Sequence, residues 1–121
     1  MRGIYINCKE RDFIDMILKG NKAHETRARN TLKNVIGERV AIIETGTRKK
    51  PYVRGYATIT KAVKVEYGNI AARKAAGIYK TSYDIKKGGY KWFYTLENVA
   101  IIRPYELPKE RVNHGRSYTT F

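Results

Sequence analysis

Apolar residues in this chain fall at clear helical spacing only once, between Glu10 and Lys19, and elsewhere come as short alternating or continuous bursts. In that segment Phe13, Ile14, Ile17 and Leu18 recur at the helical period. Asp12 stands near the start, Lys19 near the end and Gly20 at the stop position, as the helix dipole and C-terminal geometry favour. A second, shorter helix is predicted over Asn69 to Ala76, with Asn69 as N-cap and Gly77 as its stop. The remainder reads mainly as strands and loops. Met1 to Asn7 alternates, and Ala23 to Arg29 looks extended with Glu25, Arg27 and Arg29 on one side. Arg39 to Thr45 carries a Val40–Ile43 run that suggests burial on both faces. Tyr52 to Glu66 is one long bent strand or two shorter ones, with Gly55 as a bulge or close-packing point.

Beyond a loop over Tyr79 to Lys91, strands are expected at Trp92 to Leu96 and Val99 to Arg103, with Pro104 and Pro108 preventing a regular continuation. The tail from Lys109 to Phe121 has aromatic and hydroxyl residues that can pack on the body but receives no assignment. No repeat or linker divides the chain, so residues 1–121 are read as one domain. This order gives an α+β, strand-dominated fold: a small mixed β-barrel flanked by two or three short helices. A parallel α/β sheet fits less well, because a regular strand–helix alternation is missing.

Several function classes drop out early. The longest apolar runs, such as Val40 to Ile43 and Val99 to Ile102, fall far short of the roughly 20 residues of a membrane span. The opening Met1-Arg2-Gly3-Ile4-Tyr5 lacks the apolar stretch of a signal peptide, so a cytoplasmic location is expected. One cysteine, Cys8, excludes an intrachain disulfide, and His24 and His114 make no metal motif. No metal or cofactor is expected.

Charge is the positive signal. Twenty-five Lys and Arg against eleven Asp and Glu leave a net +14, which attracts polyanions. Between Thr47 and Lys91 stand twelve basic residues and only two acids, Glu66 and Asp84, so this stretch supplies +10 of the +14. A thermophile's charged surface mixes both signs into ion-pair networks, and here the acids are missing. Tyr79, Tyr83, Tyr90 and Trp92 interleave with Lys80, Lys86, Lys87 and Lys91. Aromatic faces beside cations are what single-stranded RNA recognition uses, at roughly 1–3 kcal/mol per stacked base. Trp92 can equally be an ordinary strand residue with one side in the core or forming a cleft wall.

After the first helix the chain reads Gly20-Asn21-Lys22-Ala23-His24-Glu25-Thr26-Arg27, the pattern G-x-K-x-x-E-x-R. Here the sequence resembles the ASCH (activating-signal-cointegrator homology) family. The likeness extends to the helix before the motif (Ile14 to Gly20), a Gly leading into an apolar strand (Gly37 to Ile43), and a strand opening Arg54-Gly55-Tyr56-Ala57. It continues through an aromatic strand followed by an apolar one (Trp92 to Leu96, Val99 to Ile102). The resemblance implies a PUA-like barrel with a cleft beside the motif and an association with RNA. It also implies, for some members, ribonuclease activity or amidohydrolase activity on acetylated cytidine. The amidohydrolases carry a Thr nucleophile where this sequence has Glu25. Thr26 is one place off and on a strand would face the other way, and Ala71 to Ile78 contains no carboxylate to match their further acid.

Read for their own chemistry, Lys22 and Arg27 are cations flanking Glu25, a carboxylate able to accept a proton or to neutralise one of them. The alternative is a structural Glu25–Arg27 ion pair that closes the barrel, and the two roles are compatible. The expected function is RNA binding, with single-stranded DNA possible. The expected binding residues are Lys22, Arg27, Arg48, Lys49, Lys50, Arg54, Arg73, Lys74, Lys86, Lys87, Tyr90 and Trp92. If the protein is an enzyme, it is expected to be a metal-independent ribonuclease with Lys22 and Glu25 as the catalytic pair. Oligomeric state is left open.

Overall fold

The computed structural model describes residues 1–121. Seven strands form one mixed sheet: β1 (Arg2–Asn7), β2 (His24–Arg27), β3 (Arg39–Thr45), β4 (Tyr52–Glu66), β5 (Tyr90–Glu106), β6 (Val112–His114) and β7 (Tyr118–Thr120). Two short helices, α1 (Phe13–Leu18) and α2 (Ile70–Ala75), and a 3-10 turn at Lys33–Val35 complete the chain. The strand order is β2-β5-β4-β3-β1-β7-β6, with β1 and β3 parallel and every other pair antiparallel. A parallel pair needs a long crossover, and residues 8–38, carrying α1 and β2, supply it. No helix is long and apolar enough to cross a membrane.

The closed barrel expected from the sequence is not made. The ladder starts at β2 and ends at β6; β2, four residues long, pairs along one edge with β5, and its other edge meets no strand. The strand-dominated α+β class holds. Val40 and Ile42 pack into the main core with Ile4, Ile6, Ala57, Ile59 and the α1 residues Phe13, Ile14 and Ile17. Ala41 and Ile43 turn to the opposite side, with Val53 and Leu107. The strand β3 is therefore covered on both faces, as its unbroken apolar run requires.

The long strands bend where residues are inserted. Gly55 sits at a register shift, and a Cβ there would lie 2.6 Å from the Ala100 carbonyl oxygen and 2.8 Å from Leu18 Cδ2. Only glycine admits that approach. The two strands expected at 92–96 and 99–103 are one, because Asn98 takes a left-handed φ of 51° and absorbs the irregularity within the ladder. Pro104 does not stop it. The proline lies where β5 has extra residues opposite β4, and β2 covers the other side of β5 only from Trp92 to Thr95, so no ladder bond on that edge needs its missing N–H.

Both helices start and stop as their sequences dictate. The Asp12 carboxylate accepts from the Asp15 amide at 2.9 Å, and Asn69 Oδ1 from the Ala72 amide at 3.1 Å. The unassigned tail is a hairpin of β6 and β7, and β7 pairs with β1.

Candidate nucleic-acid interface

The exit from α1 builds the site. Gly20 takes φ +80°, and the amides of Asn21 and Lys22 both donate to the Met16 carbonyl, at 2.8 and 3.1 Å. This tight turn folds Lys22 back towards the body before β2 begins. Its side chain is only 2% exposed. Nζ donates to the Ala76 carbonyl at 2.5 Å and lies 5.2 Å from the centre of the Phe13 ring. Burial pushes the Lys22 pKa below its ordinary value, with Glu25 opposing that shift and Lys91 reinforcing it.

Glu25 and Arg27 follow two residues apart on β2. Arg27 Nε donates to Glu25 Oε2 at 3.2 Å, while its two terminal nitrogens reach the Tyr5 carbonyl at 2.6 Å and the Ser117 carbonyl at 3.4 Å. The guanidinium thus bridges from β2 to β1 and the turn before β7. No backbone ladder spans that gap. Both residues of this ion pair also border a cavity of about 430 Å³. Arg29, expected on the same stripe, lies past the end of β2 and is exposed.

Four cations line this cavity (Lys22, Arg27, Lys91 and Arg116) against one carboxylate, Glu25. Lys91 Nζ donates to the Tyr83 carbonyl at 2.5 Å, and burial lowers its pKa. An ammonium has three donors, and the intramolecular hydrogen bonds of Lys22 and Lys91 use one each, leaving the others for an anion. Tyr83 forms another part of the wall, and burial raises its phenol pKa. Thr26, expected to face away, also borders the cavity.

Other expected binding residues are dispersed or committed elsewhere. Arg73 is buried, with Nε and Nη2 each 2.8 Å from an Asp84 carboxylate oxygen and Nη1 donating to the Tyr67 carbonyl. Arg54 bonds Asp12 at 2.8 Å and Glu44 at 2.9 Å. Neither guanidinium is a free phosphate ligand, because each is already paired with carboxylate. Arg48 lies 3.6 Å from Glu44 and over the Tyr52 ring, and Lys50 lies 3.3 Å from Glu106. Lys49, Lys74, Lys86 and Lys87 are exposed. Tyr90 is 48% exposed, with Lys64 Nζ 3.8 Å from its ring centre. Trp92 is half-buried against the main core and is not a cavity residue.

Lys91 and Arg116 are cavity cations that the motif does not reveal. Neither is near it in sequence, and only the pairing of β5 with β2 and the return of the tail hairpin bring them in.

No protein-family model matches the sequence, and no curated protein matches it. Solved structures do. The crystal structure of ASCH from Zymomonas mobilis superposes with a TM-score of 0.65 at 22% identity, covering 88% of this chain and 73% of that one. A serine-to-alanine variant of the same protein gives 0.67 at 21% identity, over 98% and 87% of the two chains. A tyrosine-to-phenylalanine variant gives 0.64 at 22% identity, over 88% and 75%. The chain has the ASCH fold. The likeness covers nearly the whole chain in the best superposed of these three, so the ASCH architecture includes the elements that carry the G-x-K-x-x-E-x-R segment. At these identities it speaks for the fold, and the cavity chemistry rests on this chain's own residues.

Proposed function

We propose that this ASCH-fold protein binds RNA and seats a nucleotide phosphate in the cavity bordered by Lys22, Glu25 and Arg27. The observation that carries this reading is the convergence of four cations on an accessible cavity holding one carboxylate. A cavity of about 430 Å³ is within the size range of small-ligand sites. A phosphate entering it would replace water around Lys22 and Lys91 and relieve the cost of their burial. The exposed lysines outside the cavity, among them Lys74, Lys86 and Lys87, would add sequence-independent attraction along the strand. Tyr90, exposed beside Lys64, offers a face for stacking a base.

The test is a titration with short single-stranded RNA across salt concentrations. If about five phosphates are neutralised, log affinity falls with log salt at a slope near −3.5. A slope close to zero removes the proposal. The same titration with DNA of equal sequence reports whether the 2′-hydroxyl matters.

A second reading, a metal-independent ribonuclease, draws support from Lys22, Glu25 and Tyr83 bordering one cavity. The carboxylate would take the proton of the 2′-hydroxyl as it attacks phosphorus, and the P–O5′ bond would break to leave a 2′,3′-cyclic phosphate. Tyr83 would give a proton to the departing 5′-oxygen, and Lys22 would stabilise the charge gathering on the phosphorus oxygens. It requires cleavage in the presence of chelator, and a rate in Lys22→Ala that falls further than binding does. Intact RNA after prolonged incubation discards it. The amidohydrolase reading ranks behind both: Thr26 borders the cavity, but Glu25 stands where that chemistry needs a threonine and α2 carries no carboxylate.

A further inference from the structure

Beside the cavity already described lies a second, of about 390 Å³, which shares Tyr5, Thr45 and Arg116 with it. Its cations are Lys49, Arg111 and Arg116, with Arg48, which also lies 3.6 Å from Glu44, at its border, and none of its lining residues is acidic. Arg111 is held in place without a carboxylate: Nε donates to the Tyr5 hydroxyl at 3.1 Å and Nη1 to the Pro108 carbonyl at 2.8 Å. Tyr5 in turn donates to Asn113 Oδ1 at 2.6 Å. A guanidinium oriented by neutral partners keeps its full charge and its remaining donors for a ligand. Lys49 and Arg116 form no ion pair.

Tyr5 is the wall between the two cavities. Its carbonyl accepts Arg27 of the first, and its hydroxyl accepts Arg111 of the second. Lone surface cations can serve solubility. Two adjoining concave sites, each richer in cations than in acids and joined by a common wall, instead suit a thin chain whose anionic charge repeats. A mononucleotide reaches one such site and leaves the other empty.

We infer that the cavity of Arg48, Lys49, Arg111 and Arg116 is a second phosphate subsite, which takes the phosphodiester next to the nucleotide held at Lys22 and Arg27. The inference rests on the RNA-binding reading of the first cavity and extends it: the ligand is an oligonucleotide, with its backbone passing Tyr5. Arginine forks fit carboxylate and phosphate oxygens alike. A nucleic acid is favoured because its phosphates recur at every nucleotide and because Tyr90, exposed beside Lys64, offers a face to a base.

The experiment compares uridine 5′-monophosphate with single-stranded hexauridylate on the whole protein, the double variant Lys49→Ala/Arg111→Ala, and Lys22→Met. The double variant is expected to bind the monophosphate within twofold of the parent. It should bind the hexamer about tenfold more weakly, with a salt slope shallower by about 1.4 for two lost phosphate contacts. Because Arg111 also ties Tyr5 to the hairpin, Lys49→Glu is measured alongside. It changes only an exposed, unpaired side chain and should weaken the hexamer in the same direction.

Unchanged hexamer affinity and slope in both Lys49 variants, with Lys22→Met weakening both ligands, would overturn the second subsite and leave the first. Failure of the parent to bind either ligand overturns both. Hexaglutamate binding as tightly as hexauridylate, and lost in the same double variant, would reassign the surface to acidic peptides and overturn the inference as stated.

Discussion

Arg27 donates to the carbonyl of Tyr5 at 2.6 Å, across the opening where the sheet does not close. Through this contact a four-residue edge strand is fastened to the strand at the other side of the cavity, and the fastener is itself one of the cavity's cations. The open edge of the sheet and the cavity lining are therefore coupled through one side chain.

Arg27→Ala removes that tie and leaves Glu25, only 7% exposed, without its cation. Breaking a mostly buried pair from one side costs about 3 kcal/mol. Urea unfolding is expected to show this loss, with Arg27→Lys recovering part of it because a lysine keeps the charge but cannot reach three acceptors. A change below about 0.5 kcal/mol would show that the bridge contributes nothing.

Lys22→Met is expected to have the opposite effect on stability. The buried ammonium has a pKa held below its ordinary value, so folding works against its charge wherever it is protonated. Its contribution to stability rises as pH climbs through the folded pKa towards 10.5, and the methionine variant lacks that rise. At pH 7 the variant should be as stable as the parent or up to about 2 kcal/mol more so, while RNA affinity falls at least tenfold. Loss of stability together with unaltered RNA affinity would mark Lys22 as purely structural.

Asp84 is expected to set part of the acid limit of stability. Its paired position against Arg73, together with the Lys80 and Ile85 amides, holds its pKa at about 2, below the ordinary 3.8. A depressed carboxylate contributes stability that is complete above pH 3.8 and is lost as pH falls through about 2. Asp84→Asn should lower Tm by roughly 10 °C at pH 7 and flatten the melting profile between pH 4 and pH 2. An unchanged acid profile would show that other carboxylates set that limit.

Gly55→Ala puts a methyl group against the Ala100 carbonyl and Leu18, at a place where backbone has to move to make room. Overpacking of this kind costs about 2 kcal/mol. Thermal melting reads it directly, and a neutral result would mean that the β4–β5 bulge can shift.

Much of this arrangement was legible in the residues. The helix around Phe13 to Leu18, the caps at Asp12 and Asn69, the doubly buried Val40–Ile43 run and the role of Gly55 all follow from local pattern, because period, caps and backbone freedom are local properties. The motif Lys22-x-x-Glu25-x-Arg27 also borders a cavity. What the residues hid is set by tertiary pairing, which local pattern does not report. Arg54 and Arg73 look like free cations until Asp12, Glu44 and Asp84 are brought to them. Lys91 and Arg116 enter the site through strand register and a hairpin that no periodicity announces. Pro104 carried a local stop signal, which an edge strand with extra residues can ignore.

The hairpin of β6 and β7 lays its second strand along the first strand of the chain, and the residues flanking it supply Arg111 and Arg116. One edge of β1 meets β3 within the first half of the chain, but its other edge stays open until β7, the last strand, is made. The two adjoining cavities therefore take shape only with that late pairing, since Arg116 lines both and arrives with the hairpin.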